Sequence, residues 1–138
     1  MGKRESLNDY LKRVNDIPFE WGIHDCFTFT NNAFKEMYGE GWADDWVGRY
    51  MSDGKPLRRR ELMKEFGFSD FNKAVDQKLT RVNYYPPLGC LVTTKKSQRW
   101  ITGVAMGLST GAKGVFLSKD GLIYLPLTDV EQAWTRDG

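Results

Sequence analysis

Three neighbouring residues carry the groups with the most chemical potential in this chain: His24, Asp25 and Cys26. The chain has one histidine and two cysteines, so His24 is the only imidazole available to this segment. Cys26 falls at the start of an expected helix. A thiol there feels the partial positive charge of free backbone N–H groups, which favours the reactive thiolate. The same residue also fits a plain structural role, as a small apolar side chain on one face with Phe29, Ala33 and Met37. His24 lies two residues before Cys26, and on an extended approach such residues point the same way. A base must come within about 2.6–3.2 Å of the group it deprotonates. It also needs an orienting partner on its second nitrogen, and Asp25, its chain neighbour, is poorly placed for that. His24 is thus a candidate base, with a capping or core-edge role as the alternative.

The other constellations offer less. His24, Asp25, Cys26 and Cys90 lack the paired spacing of a structural zinc site, and no metal or cofactor is expected. A disulfide between Cys26 and Cys90 is formally open but disfavoured in a reducing compartment. Gly103, Gly107 and Gly111 are not accompanied by the lysine and hydroxyl of a phosphate loop. Arg58-Arg59-Arg60 reads as a solvated helix face beside Glu61 and Glu65, with a phosphate or partner contact as the alternative. Trp42, Trp46 and Tyr50, spaced four apart, read as core or interface rings in preference to a sugar-stacking platform.

The elements that must position these groups are helical first. Ser6 is a candidate cap, and Leu7, Tyr10, Leu11 and Val14 recur at helical spacing. Asn15, Asp16 and Pro18 stop that helix. Asp25 is a candidate N-cap for a helix from Cys26 to Tyr38, which Gly39 and Gly41 end. Trp42 to Met51 is expected as a short helix. Pro56 suits a first helical position, with Leu57 to Phe66 following and Gly67 closing. Ser69 is expected to cap a further helix through Leu79. The character changes near Thr80. Pro86-Pro87 marks an extended approach, and short β-type runs follow at Cys90 to Thr94, Trp100 to Met106, Val115 to Ser118 and Leu122 to Leu125. Lys119-Asp120-Gly121 is a hairpin signal. Ser109 to Lys113 is a looser turn, and Asp129 to Trp134 is a last strand or a short helix. This order gives an α+β fold: a helical part over about 6–80 packed on a small antiparallel β-sheet or barrel over about 88–134, in one domain spanning 1–138.

Composition sets the outer limits. The 138 residues suit one domain, and a 14% aromatic share supplies a compact core. The net charge of +2 argues against a dedicated nucleic-acid binder. No apolar run approaches the length of a membrane span. The polar stretch from Met1 to Asn8 lacks the character of a secretory signal, so synthesis in a cytoplasm without export is expected.

The segment Trp21-Gly22-Ile23-His24-Asp25-Cys26 resembles the stretch around the nucleophile in papain-like cysteine peptidases of the NlpC cell-wall type. The chain also resembles small bacteriophage proteins encoded among tail genes, through that segment, through Trp46-Val47-Gly48-Arg49-Tyr50 and through a final Ala133-Trp134. The resemblance implies a papain-like scaffold with Cys26 at the nucleophile position and Trp21, Gly22 and Asp25 forming the site. Two departures stand out. Cys90 follows Gly89 where the family has aspartate, and Ile101 or Thr102 occupies the position of the family's basic histidine. The resemblance therefore implies a virion protein of the tail tip or baseplate with a degenerate site. Such a protein is made in the host cytoplasm and assembles in several copies against tail hub proteins. The alternative is an active peptidoglycan peptidase working during DNA entry, with Cys26 as nucleophile and His24 or a partner chain's residue as base. An ordinary cytoplasmic protein with a buried cysteine is the third reading.

Overall fold

The computed structural model describes residues 2–68, 70–97 and 104–136. Helix α1 runs over Lys3–Val14 and buries Leu7, Tyr10, Leu11 and Val14, the apolar stripe expected from their spacing. It begins earlier than Ser6. The Ser6 N–H donates to the Gly2 carbonyl, so Gly2 is the cap and Ser6 lies within the first turn. Helix α2 covers Cys26–Tyr38, with Asp25 as N-cap and Gly39 in the left-handed conformation at its end. Tyr10 of α1 donates a 2.8 Å hydrogen bond to the Phe29 carbonyl of α2, tying the two helices together.

The segment after α2 departs from expectation. Only Asp44–Trp46 forms a 3₁₀ turn, and Gly48 at φ 80° breaks any continuing helix. Trp42, Trp46 and Tyr50 are nevertheless all buried, clustered around Phe27 with Trp42 and Tyr50 edge-on to it and Trp46 tilted. A two-strand hairpin follows, β1 at Met51–Ser52 and β2 at Lys55–Pro56, turning on Asp53-Gly54. Pro56 thus closes a hairpin, and helix α3 starts later, over Arg59–Phe66. Helix α4 covers Phe71–Asp76, capped by Asp70, whose side chain accepts from the Asn72 N–H. The expected cap Ser69 lies outside the described residues.

The second half forms a six-stranded antiparallel sheet. Its strands are β3 (Thr80–Val82), β4 (Leu91–Thr94), β5 (Ala105–Ser109), β6 (Lys113–Ser118), β7 (Gly121–Pro126) and β8 (Val130–Thr135), in spatial order β3-β8-β4-β5-β6-β7. The sheet is open, so of the two expected forms, sheet and barrel, the sheet is observed. The Asp120-Gly121 hairpin joins β6 and β7 in register, with Ser118 opposite Gly121. The tail is a strand and not a helix. The expected run from Trp100 lies largely in 98–103, outside the described residues; its end, Ala105 and Met106, lies in β5.

Both faces of the sheet are covered. Leu91, Met106, Leu108, Val115, Leu117 and Trp134 join the main core with α1 and α2. On the other face Val82, Cys90, Val92, Ala105, Phe116 and Ala133 form a smaller cluster. Gly107 and Gly114 let the Phe116 ring lie flat on that side, because a Cβ at either position would collide with it. This two-sided burial explains why β4 and β5 are buried at every position and do not alternate between buried and exposed. The loop between α1 and α2 is anchored to the β6–β7 hairpin. The Phe19 N–H donates to the Lys119 carbonyl, and the Leu122 N–H to the Asn15 carbonyl, each at 3.3 Å. Among the described residues, no helix is long and apolar enough to cross a membrane.

Candidate functional site

The loop that delivers His24, Asp25 and Cys26 is a tight turn. Glu20 and His24 exchange two backbone hydrogen bonds, the Glu20 N–H to the His24 carbonyl at 2.9 Å and the His24 N–H to the Glu20 carbonyl at 2.8 Å. Gly22 sits at φ 80° inside that turn, and a Cβ there would press on the Met51 side chain at 3.3 Å. Trp21 packs its ring edge against Phe19, with centroids 5.0 Å apart. The chain then leaves the turn straight into α2.

Asp25 organises the site. It is fully buried, at 0% exposure. Its Oδ1 accepts the Thr28 N–H at 2.9 Å, and its Oδ2 accepts the Gly22 N–H at 2.8 Å and the Tyr50 hydroxyl at 2.5 Å. Thr28 answers by accepting the Asp25 N–H on Oγ1 at 2.8 Å, which completes a capping box. One carboxylate thereby links the Gly22 turn, the first turn of α2 and the Tyr50 segment. Burial beside that carboxylate pushes the Tyr50 hydroxyl far above its ordinary pKa and keeps it a donor.

Cys26 points into the core, with 3% of its surface exposed. Burial pushes its thiol up to about 12, against a smaller lowering effect from the Met106 backbone on β5. The expected activation by the helix terminus is overridden, because removing a thiolate from water costs more than partial charges at a helix end return. The thiol is held protonated across the physiological range.

His24 is buried too, at 7% exposure, with its ring edge-on to Phe29 at 6.2 Å. Its Nε2 is buried without a hydrogen-bond partner. No hydrogen bond therefore joins this nitrogen to the Cys26 sulfur, and the turn at Glu20–His24 replaces the extended approach on which such a contact was expected. Burial lowers the His24 pKa, and the neighbouring charge of Asp25 only partly offsets this. Cys90 belongs to the cluster on the opposite sheet face, and both cysteines are free thiols. Burial raises Cys90 to about 11. Among the described residues, no group of three or more His, Cys, Asp or Glu side chains could hold a metal ion. The base position of the resembled family, Ile101 or Thr102, lies outside the described residues.

Sequence reasoning missed the roles of Tyr50 and Thr28. A threonine three residues after an N-cap aspartate was a legible capping signal. Tyr50, twenty-five positions from Asp25, gave no local sign of that contact.

A family model described as a domain of unknown function, DUF6950, matches residues 2–136. The chain belongs to this family. No curated protein matches it. No solved structure matches it either. The family match covers the Asp25 site, the Tyr50 segment and every strand of the sheet.

The buried imidazole predicts a pH response. A histidine whose folded pKa is depressed binds a proton more readily when unfolded. Its contribution to stability is complete above the unfolded value near 6.5 and is lost as pH falls below it. Asp44, Asp45 and Asp76 have lowered pKa values, chiefly through hydrogen bonds to Asn31, Lys78 and Arg81. Their stabilisation is present above the unfolded value of 3.8 and lost below it, in a separate and more acidic window. Thermal melts are expected to fall between pH 7.5 and 5.5 in the native chain and to stay nearly level over that interval in His24→Phe. Equal slopes for the two proteins would refute the assignment.

Proposed function

We propose that this protein is a structural component of a bacteriophage tail tip or baseplate, built on an NlpC-type, papain-like scaffold whose chemistry has lapsed. The observation that carries the reading is the state of Cys26: a thiol at the nucleophile position of the resembled family, buried in the core and held protonated. A fold can persist after its reaction is lost. The resemblance to tail-cluster proteins supports a place in the virion, contact with tail hub proteins and several copies arranged by the tail's symmetry. The Ile101 or Thr102 stretch, standing where that family has a basic histidine, supports the same reading.

One observation favours a second reading, a peptidoglycan peptidase acting during DNA entry. The unpartnered Nε2 of His24 lies two residues from Cys26 and would become a base if the Glu20–His24 turn opened. Phage carrying Cys26→Ala separates the two. The structural reading expects normal particle assembly, normal infectivity and no wall digestion by either the native or the substituted protein. Cleavage of purified peptidoglycan by the native protein, abolished by Cys26→Ala while particles still assemble, would overturn it.

A further inference from the structure

The arginine run has a setting that the proposed function does not use. Behind Tyr50, a cavity of about 440 Å³ opens at the surface between α3 and α4. That volume lies within the usual range of binding pockets. Its wall is largely aromatic and aliphatic: Phe27, Trp46, Tyr50, Leu62, Phe66 and Phe71. Cys26 does not line it.

The charged residues that line the cavity are Arg59 and Asp70, and they differ in how far they are engaged. Arg59, the first residue of α3, lines the cavity and is exposed. Four other arginines have carboxylate partners, Arg13 with Glu36, Arg49 with Glu65, Arg81 with Asp76 and Arg136 with Glu40. Arg59 and its neighbours Arg58 and Arg60 have none among the described residues. The nearby acids are partly engaged. Glu61 accepts the Arg58 backbone N–H at 3.2 Å, and Asp70 accepts the Asn72 N–H at 2.9 Å. With Asp70 engaged as the cap of α4, the Arg59 guanidinium is left, among the described residues, without an ion-pair partner at the mouth of an apolar cavity, a setting complementary to a ligand that is apolar at one end and anionic at the other.

We infer that this cavity docks a partner segment that inserts one bulky apolar side chain and presents an adjacent carboxylate to Arg59. The inference uses no property of Cys26, so it stands whether the protein is structural or catalytic.

The test titrates the full chain with N-acetyl-phenylalanine and, separately, with the uncharged N-acetyl-phenylalaninamide, read by amide and indole NMR shifts. The acid should saturate with shifts centred on Trp46, Arg59 and Phe71. It should bind at least about fivefold more tightly than the amide, as expected for one charge-assisted pair at an accessible site. Arg59→Gln should erase that preference while leaving the amide's affinity unchanged. Met63→Glu, at the exposed lip of the cavity, should weaken the acid more than the amide. Three results would each overturn the inference: no saturable shifts at the cavity, equal binding of acid and amide to the native chain, or a preference that survives in Arg59→Gln. The native-chain comparison decides the matter even if a variant does not fold.

Discussion

Asp25→Ala should cost about 3–5 kcal/mol of folding stability, measured by urea denaturation. The cost arises because the carboxylate satisfies three separate parts of the chain. Its removal leaves the Tyr50 hydroxyl and the Thr28 N–H without acceptors in a buried region and releases the Gly22 N–H, which is only partly buried. Each orphaned donor costs about 1–3 kcal/mol, and losing an N-cap adds about 0.5–2 kcal/mol, although these costs overlap and do not sum in full. Two companions locate the cause. Asp25→Asn keeps one acceptor oxygen and can still cap Thr28, so it should lose less than alanine does. Tyr50→Phe removes a single donor and should lose about 1–2 kcal/mol. A loss below about 1 kcal/mol for Asp25→Ala would show that the hydrogen bonds to this carboxylate do not hold the loop.

Cys26 should react with iodoacetamide about a thousandfold more slowly in the folded protein than in urea at the same pH. The thiol's pKa moves from 9.0 to about 12 on burial, and each unit removes a factor of about ten in thiolate below the pKa. Limited access slows the reaction further, since the side chain is almost wholly enclosed. Cys90 is raised only to about 11 and should be the faster of the two by roughly tenfold on thiolate content alone. Peptide mapping after timed labelling distinguishes them. Labelling of Cys26 in the folded state at a rate near that of a free cysteine would mean an accessible thiolate, and the inactive-scaffold reading would fall with it.

The two results bear on one question, whether the Asp25–Cys26 junction is a device for chemistry or for architecture. Its hydrogen bonds favour architecture. The carboxylate faces backbone donors and a tyrosine, the sulfur faces the β5 backbone, and the imidazole meets Phe29 edge-on. A peptidase site needs the opposite arrangement, with sulfur and imidazole in mutual reach beside open solvent.

What the sequence determined by itself was local. The helix from Cys26 to Tyr38 was legible at both ends, because an N-cap aspartate and a left-handed glycine act within a turn of their own position. The Asp120-Gly121 hairpin and the change from helices to strands near Thr80 were legible for the same reason. The tertiary structure decided everything that depends on distant neighbours. It set the last strand between β3 and β4, where Ala133 pairs with both Val82 and Val92. It buried Trp42, Trp46 and Tyr50 in a common core without the helix their spacing implied. It also reversed the expected state of Cys26. The helix terminus that would favour a thiolate is written in the chain, but the desolvation that outweighs it comes from the core that encloses the sulfur, assembled from elements distant in sequence. Ionisation energies depend on which atoms exclude water from a group, and no local pattern records that.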